Sequence, residues 1–267
     1  MGQFDLLEYC QCYKERKANQ SHGFQLKIAV DSEISEMWHK YRFIKFVDVP
    51  PFLQEVENYS GVCASISKNS LKTTRGEQAL QKYRQFAQLK WSIELEFDHS
   101  IIIWHLATSV CYLLDEDHDN ETMKISKHVS NYMMYLLAMC PALLLSEHSK
   151  SFWLDHAYDN LEKLASPAID IRNVASTLHS SSDNVQLESR ERTFENLKGD
   201  VLELATILRE SDNKWEMIKD VWIEMFCHAA FSSQHINHVK QLGEGIEFLS
   251  LIWLFIFTFI IDTVFKM

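Results

Sequence analysis

The stretch "HSIIIWHLATSVCYLL", His99 to Leu114, decides the fold. From Ile101 to Leu114 it is nearly continuous apolar sequence, interrupted by His105 and two small hydroxyls, Thr108 and Ser109. A bilayer core of about 30 Å needs roughly 20 apolar residues to be crossed by a helix, and this run is shorter. An apolar segment with no polar face belongs inside a protein, so it predicts a central buried helix.

Working outward, "NYMMYLLAMCPALLL" from Asn131 to Leu145 predicts a second core helix, ended or kinked at Pro141 because proline lacks an amide donor. Phe194, Leu197, Val201, Leu204 and Leu208 form one amphipathic stripe, and Trp215, Ile218, Trp222, Met225, Phe226 and Ala229 form another. "RGEQALQKYRQFAQL" predicts a further helix from Arg75 to Leu89. "WSIELEF", Trp91 to Phe97, alternates apolar and polar residues, the period of a half-buried strand. Only seven Gly and four Pro in 267 residues leave few breakers. The fold class expected is mostly α, an irregular multi-helix globular bundle with at most one short extended segment near 91–97.

Three regions follow from the same pattern. Residues 1–74 read as a partial helical region, with an amphipathic stretch at 26–46 and a break at Pro50-Pro51. Residues 75–260 read as the helical domain, with a Ser-, Asn- and charge-rich loop near 176–190. Residues 246–267 form an apolar tail, "FLSLIWLFIFTFIIDTVFKM" from Phe248, in which Asp262 interrupts the run. Counted from Ile246 to Phe265 the tail is long enough for membrane contact; it equally suits a buried terminal helix.

Charge narrows the partners. With 37 acidic and 26 basic residues the chain carries −11, which repels a phosphate backbone, and no basic cluster offsets it. Nucleic acid is not expected as a partner. Six scattered cysteines, several in apolar runs, suit a reducing intracellular compartment.

Chemistry is sparse. "DEDHDNETMKIS" starts like a calcium loop, with Asp115, Asp117 and Asp119 at positions one, three and five and Asn120 at the turn. Ser126 stands where a bidentate Glu is required, so the expected reading is an acidic connector between two buried helices. His105 could serve as a ligand or base, or be hydrogen-bonded in the core. Glu36 and His39 form a single E-x-x-H pair without the second copy that a di-iron bundle uses. His235 and His238 have metal-compatible spacing but no third ligand. No nucleophile elbow, phosphate loop or zinc-protease motif occurs, and no catalytic residue, cofactor or small-molecule ligand is expected.

"WSIELEFDHSIIIWHLATSVCY", "SNYMMYLLAMCP", "KWEMIKDVWIEMFCHAA" and "HVKQLGEGIEFLSLIWLF" together resemble the plant family of domain of unknown function 594. In that family the domain follows a membrane-embedded part, domain of unknown function 4220, and "GQFDLL" at Gly2 to Leu7 looks like the join. The resemblance implies a chain that starts partway through this architecture. It transfers no activity, since the family has none established. Ser109, Ile246 and Leu251 depart from the family pattern, as does the sequence beyond Phe255. The expected role is a non-catalytic intracellular interaction or structural domain; a C-terminal membrane anchor and an enzyme with a buried site around His105 are the alternatives.

Overall fold

Two short strands and seven helices are built on residues 1–9, 43–48, 74–115, 119–144, 197–244 and 247–254, the parts of the chain that the computed structural model describes. In chain order these are β1 (Gly2–Gln3), β2 (Lys45–Phe46), α1 (Glu77–Lys82), α2 (Phe86–Glu94), α3 (Phe97–Leu114), α4 (Glu121–Met139), α5 (Leu197–Glu210), α6 (Lys214–Ser232) and α7 (His235–Glu244). A helical turn at 6–9, a 3-10 turn at Pro141–Leu143 and a helical segment at 248–254 complete the described part. The fold is mostly α. The expected features at 26–42, Pro50-Pro51 and 176–190, the Glu36–His39 pair and Phe194 lie outside the described residues.

α3 is the axis of the core. Every residue from Phe97 to Cys111 is buried. Ile101 to Ile103 are β-branched and by propensity poor helix formers, but burial on all sides outweighs a deficit of a few tenths of a kcal/mol per residue. The helix packs against α2, α4 and α5, while α4 also carries α6 and the β1 strand. By length and composition α3 is long enough to cross a membrane, yet most of it lies inside the protein, as a core helix does.

Polar side chains tie the apolar layers together. Trp104 Nε1 donates to Ser92 Oγ at 3.1 Å, and Trp222 Nε1 donates to Thr108 Oγ1 at 3.1 Å. Both indoles are fully buried, so each N–H needs such a partner. The two small hydroxyls thereby link α2 to α3 and α3 to α6.

The extended segment expected near 91–97 is not a strand. Residues through Glu94 are helical, Leu95 and Glu96 form a break, and Phe97 opens α3. Leu89, Ser92 and Ile93 are buried at helical spacing. The period-two pattern arises where the end of one helix abuts the start of the next. The observed strands are instead a two-residue antiparallel pair, with Gly2 opposite Phe46 and Gln3 opposite Lys45.

The helix expected from Arg75 to Leu89 is split as well. Arg84 adopts φ 59°, the left-handed conformation, and the amides of Arg84 and Gln85 donate to the carbonyls of Gln81 and Leu80 at 3.1 and 2.9 Å. This is the C-terminal cap normally built on glycine. At the other end of α1 the cap comes from far away: Glu224 on α6 accepts from the amides of Gly76, Gln78 and Ala79 at 3.0, 3.3 and 2.6 Å. Asn120 caps α4 in the ordinary way, accepting from Met123 N at 3.1 Å.

Candidate functional site

The buried polar side chains of α3 and α4 converge beneath the 1–9 segment. His105 is fully buried. Its Nε2 accepts from the Leu6 amide at 3.2 Å, and its Nδ1 lies 3.0 Å from Ser130 Oγ on α4. Asp5 Oδ1 is 3.8 Å from Nε2, and Asp5 Oδ2 pairs with Lys127 Nζ at 2.7 Å. Lys127 also donates to Ser109 Oγ at 2.7 Å, and that hydroxyl donates to the His105 carbonyl at 2.9 Å. Asp5 Oδ1 further accepts from the amides of Leu7 and Glu8 at 3.0 and 3.3 Å, capping the 6–9 turn.

The sequence places His105, Ser130 and Lys127 on their faces by helical spacing: Lys127 and Ser130 are three residues apart on α4, and Ser109 is one turn beyond His105 on α3. Asp5 comes from the other end of the sequence. Phe4 and Leu6 on either side of it are fully buried, so the apolar neighbours seat the carboxylate.

By composition Ser130, His105 and Asp5 are the parts of a nucleophilic triad; by polarity they are the reverse of one. Nε2 accepts a hydrogen bond from a backbone amide, so it carries no proton, and the ring proton resides on Nδ1. Nδ1 then donates to Ser130 Oγ, whereas an activated serine must give its proton to the ring. Burial, reinforced by the nearby Lys127 charge, pushes the His105 pKa down to about 3, so the ring is neutral. Burial alone would raise the Asp5 carboxyl, but Lys127 and the amide donors hold it well below the usual carboxylate range.

A second buried histidine holds the 248–254 segment. His238 Nε2 contacts the Ala230 carbonyl at 3.1 Å, which only a protonated nitrogen can do, leaving Nδ1 to accept from Ser250 Oγ at 3.1 Å. The Trp253 ring stacks on His238 at 5.0 Å and 9°, and its Nε1 donates to His235 Nδ1 at 3.2 Å. Both nitrogens of His238 and the Nδ1 of His235 are thus engaged within the protein, and the two side chains seat an indole. Burial lowers the His238 pKa to about 4. Leu249, Ile252 and Trp253 are buried, whereas Leu251 and Leu254 are 42% and 39% exposed.

The acidic connector is used for packing. Asp115 Oδ1 pairs with Lys214 Nζ and Asp115 Oδ2 accepts from Trp215 Nε1, both at 2.6 Å, joining the end of α3 to the start of α6. Asp119 is fully exposed, 3.9 Å from Lys124, and Asp117 lies outside the described residues. Asn120 has φ −64° and caps α4, so it does not make the left-handed turn of a calcium loop. Ser126, at the position of the missing Glu, is buried and donates to the Thr122 carbonyl at 2.7 Å. No group of three or more His, Cys, Asp or Glu side chains poised for a metal occurs among the described residues.

Sequence reasoning singled out His105 but missed Asp5, Lys127 and Ser130. "FDLL" at Phe4 to Leu7 carried the available signal, an Asp ahead of an apolar helical turn. No curated protein and no solved structure matches the chain. Residues 208–259, from the last three residues of α5 through α6, α7 and the 248–254 segment, match the model of a family described as a protein of unknown function, DUF594, to which this part of the chain is similar.

Proposed function

We propose that the chain is a non-catalytic intracellular domain of the plant DUF594 type, a structural or interaction module. One observation carries this reading: both nitrogens of His105, the residue best placed for acid–base chemistry, hold the protein's own backbone and a buried serine, with no exposed ring atom. Replacing His105 with Phe should lower stability by about 2–4 kcal/mol, because the Leu6 amide and Ser130 hydroxyl lose their partner. Amides 6–8 should exchange faster with solvent. His105→Gln, which can still present an acceptor, should cost less. A His105→Phe chain with unchanged melting temperature and unchanged protection of 6–8 would overturn the reading.

A second reading, membrane contact through residues 246–265, is favoured by the outward face of the 248–254 segment. Leu251 and Leu254 project from it, and the uncharged "FIFTFII" follows at Phe255 to Ile261. With a net charge of −11, binding would run through apolar insertion and would be insensitive to salt. The full chain should float with neutral phosphatidylcholine vesicles, and Leu251→Lys with Leu254→Lys should abolish flotation. A full chain that stays at the bottom of the gradient refutes this reading.

A further inference from the structure

Tyr135 on α4 touches two segments that are far apart in sequence. Gly2 in β1 lies directly over its ring: a Cβ on Gly2 would sit 2.6 Å from Cε1, Cε2 and Cζ. The hydroxyl of the same side chain donates to Glu247 Oε1 at 2.7 Å. Phe46 in β2 meets the ring edge-on at 6.5 Å, so both strands of the ribbon rest on Tyr135. Glu247 in turn starts the 248–254 segment, accepting through its carbonyl from the amides of Ser250 and Leu251 at 2.9 and 3.3 Å. Its other carboxylate oxygen accepts from Tyr132, whose hydroxyl receives the Leu249 amide at 2.9 Å.

A phenol ring is rigid. Turning the ring about χ2 leaves Cζ and the hydroxyl oxygen on the rotation axis, so an approach that includes Cζ is relieved by swinging the whole ring about χ1, which carries the hydroxyl with it. Relieving a 2.6 Å approach at Gly2 to ordinary contact needs a ring shift of about 1 Å. A shift of that size bends the 2.7 Å bond to Glu247 and changes its length by up to the same amount, which weakens it. Neighbours leave the ring little room to respond otherwise, since Tyr132 stacks beside it at 6.0 Å and 18°.

We propose that Tyr135 couples the docking of the β1–β2 ribbon to the docking of the 247–254 segment, so that displacement of either loosens the other. The ribbon closes on the ring face and the segment closes on the hydroxyl. A partner that pulls on one is read out at the other, without any change in α3. Energetic coupling of this kind is reciprocal.

Hydrogen exchange read by mass spectrometry on the untagged full chain tests it. Gly2→Ala should accelerate exchange at 249–254 by about tenfold, and Glu247→Gln should accelerate exchange at Phe4 and Val47 by a similar factor. The Phe4 and Val47 amides are suitable reporters because they donate to the Asn131 and Met1 carbonyls, both at 3.1 Å. Exchange within α3 should not change. In a Tyr135→Phe background, Gly2→Ala should no longer affect 249–254, since the link is already cut. If each variant affects only its own segment, or if the Gly2→Ala effect on 249–254 persists in Tyr135→Phe, the proposal fails. Should Gly2→Ala also accelerate α3, the milder Glu247→Gln decides alone: faster exchange at Phe4 and Val47 with α3 unchanged upholds the coupling, and no change there overturns it.

Discussion

Gly76 sits at φ 123°, a backbone conformation that an L side chain rarely adopts. A Cβ there would also approach Val221 Cγ1 at 3.0 Å and Ile93 Cγ2 at 3.3 Å. Strain and crowding act together, so Gly76→Ala should destabilise the protein by about 2–3 kcal/mol, measured by urea unfolding. Val221→Ala in the same chain should recover only the steric share, leaving the backbone share exposed. Arg84 is the converse case, a left-handed position held by a residue with a Cβ, and Arg84→Gly should stabilise slightly or be neutral. That position explains why one helix was expected where two occur: Arg84 gives no sign of a cap, and the apolar spacing runs straight through it. His105 was legible as the one strongly polar side chain in an apolar run. Its meaning was not, because Asp5 and the Leu6 amide reach it only through tertiary packing about a hundred residues away.

Among the elements, α3, α4 and α6 were readable because each carries an apolar face that no loop could hide, and Trp215, Ile218, Trp222, Met225, Phe226 and Ala229 are all buried as their spacing requires. α1 was not readable at its start. It is six residues long, too short to be stable alone, and its own N-cap residue offers no side-chain acceptor. Glu224 supplies that acceptor from α6. Burial raises the pKa of Glu224 while the three amide donors pull it down. Glu224→Ala should therefore strand three amide donors, costing about 2–3 kcal/mol, and should speed exchange across Gln78 to Lys82 more than in α4. Glu224→Gln retains an acceptor oxygen and should cost roughly half as much. Equal exchange in wild type and Glu224→Ala would show that α1 is held by packing alone.

For the whole molecule, acid sensitivity follows from histidines that burial keeps neutral, His105 and His238 above all, with His128 lowered in the same direction. The folded pKa values of His105 and His238, about 3 and about 4, lie below the unfolded value near 6.5. The unfolded chain thus binds more protons than the folded one in this window, and stability rises with pH through it. Their contribution is complete above about pH 6.5 and is lost as pH falls toward 4 and 3. Asp98 and Glu224, raised by burial, act in the opposite sense near and above the ordinary carboxylate range and offset part of the loss. Asp5, held low, adds to the loss only below about pH 4. At pH 5 the loss from His105 is about 2 kcal/mol, or a melting temperature lower by about 5 °C than at pH 7.5. His105→Phe should be less stable at pH 7.5 yet show a flatter profile between pH 7 and 5. An unchanged profile in that variant would place the acid sensitivity elsewhere. The cap that Glu224 places on α1 spans 148 residues, and this sets an order of events during synthesis. α1 leaves the ribosome long before α6 exists, so its first amides must wait in water until most of the chain has been made. Closing so long a loop is slow, and stability gained through it arrives late in folding. A chain stopped before Glu224 would carry α1 as unfinished, protease-sensitive polypeptide, so a quality-control system could tell complete from incomplete copies by that one helix.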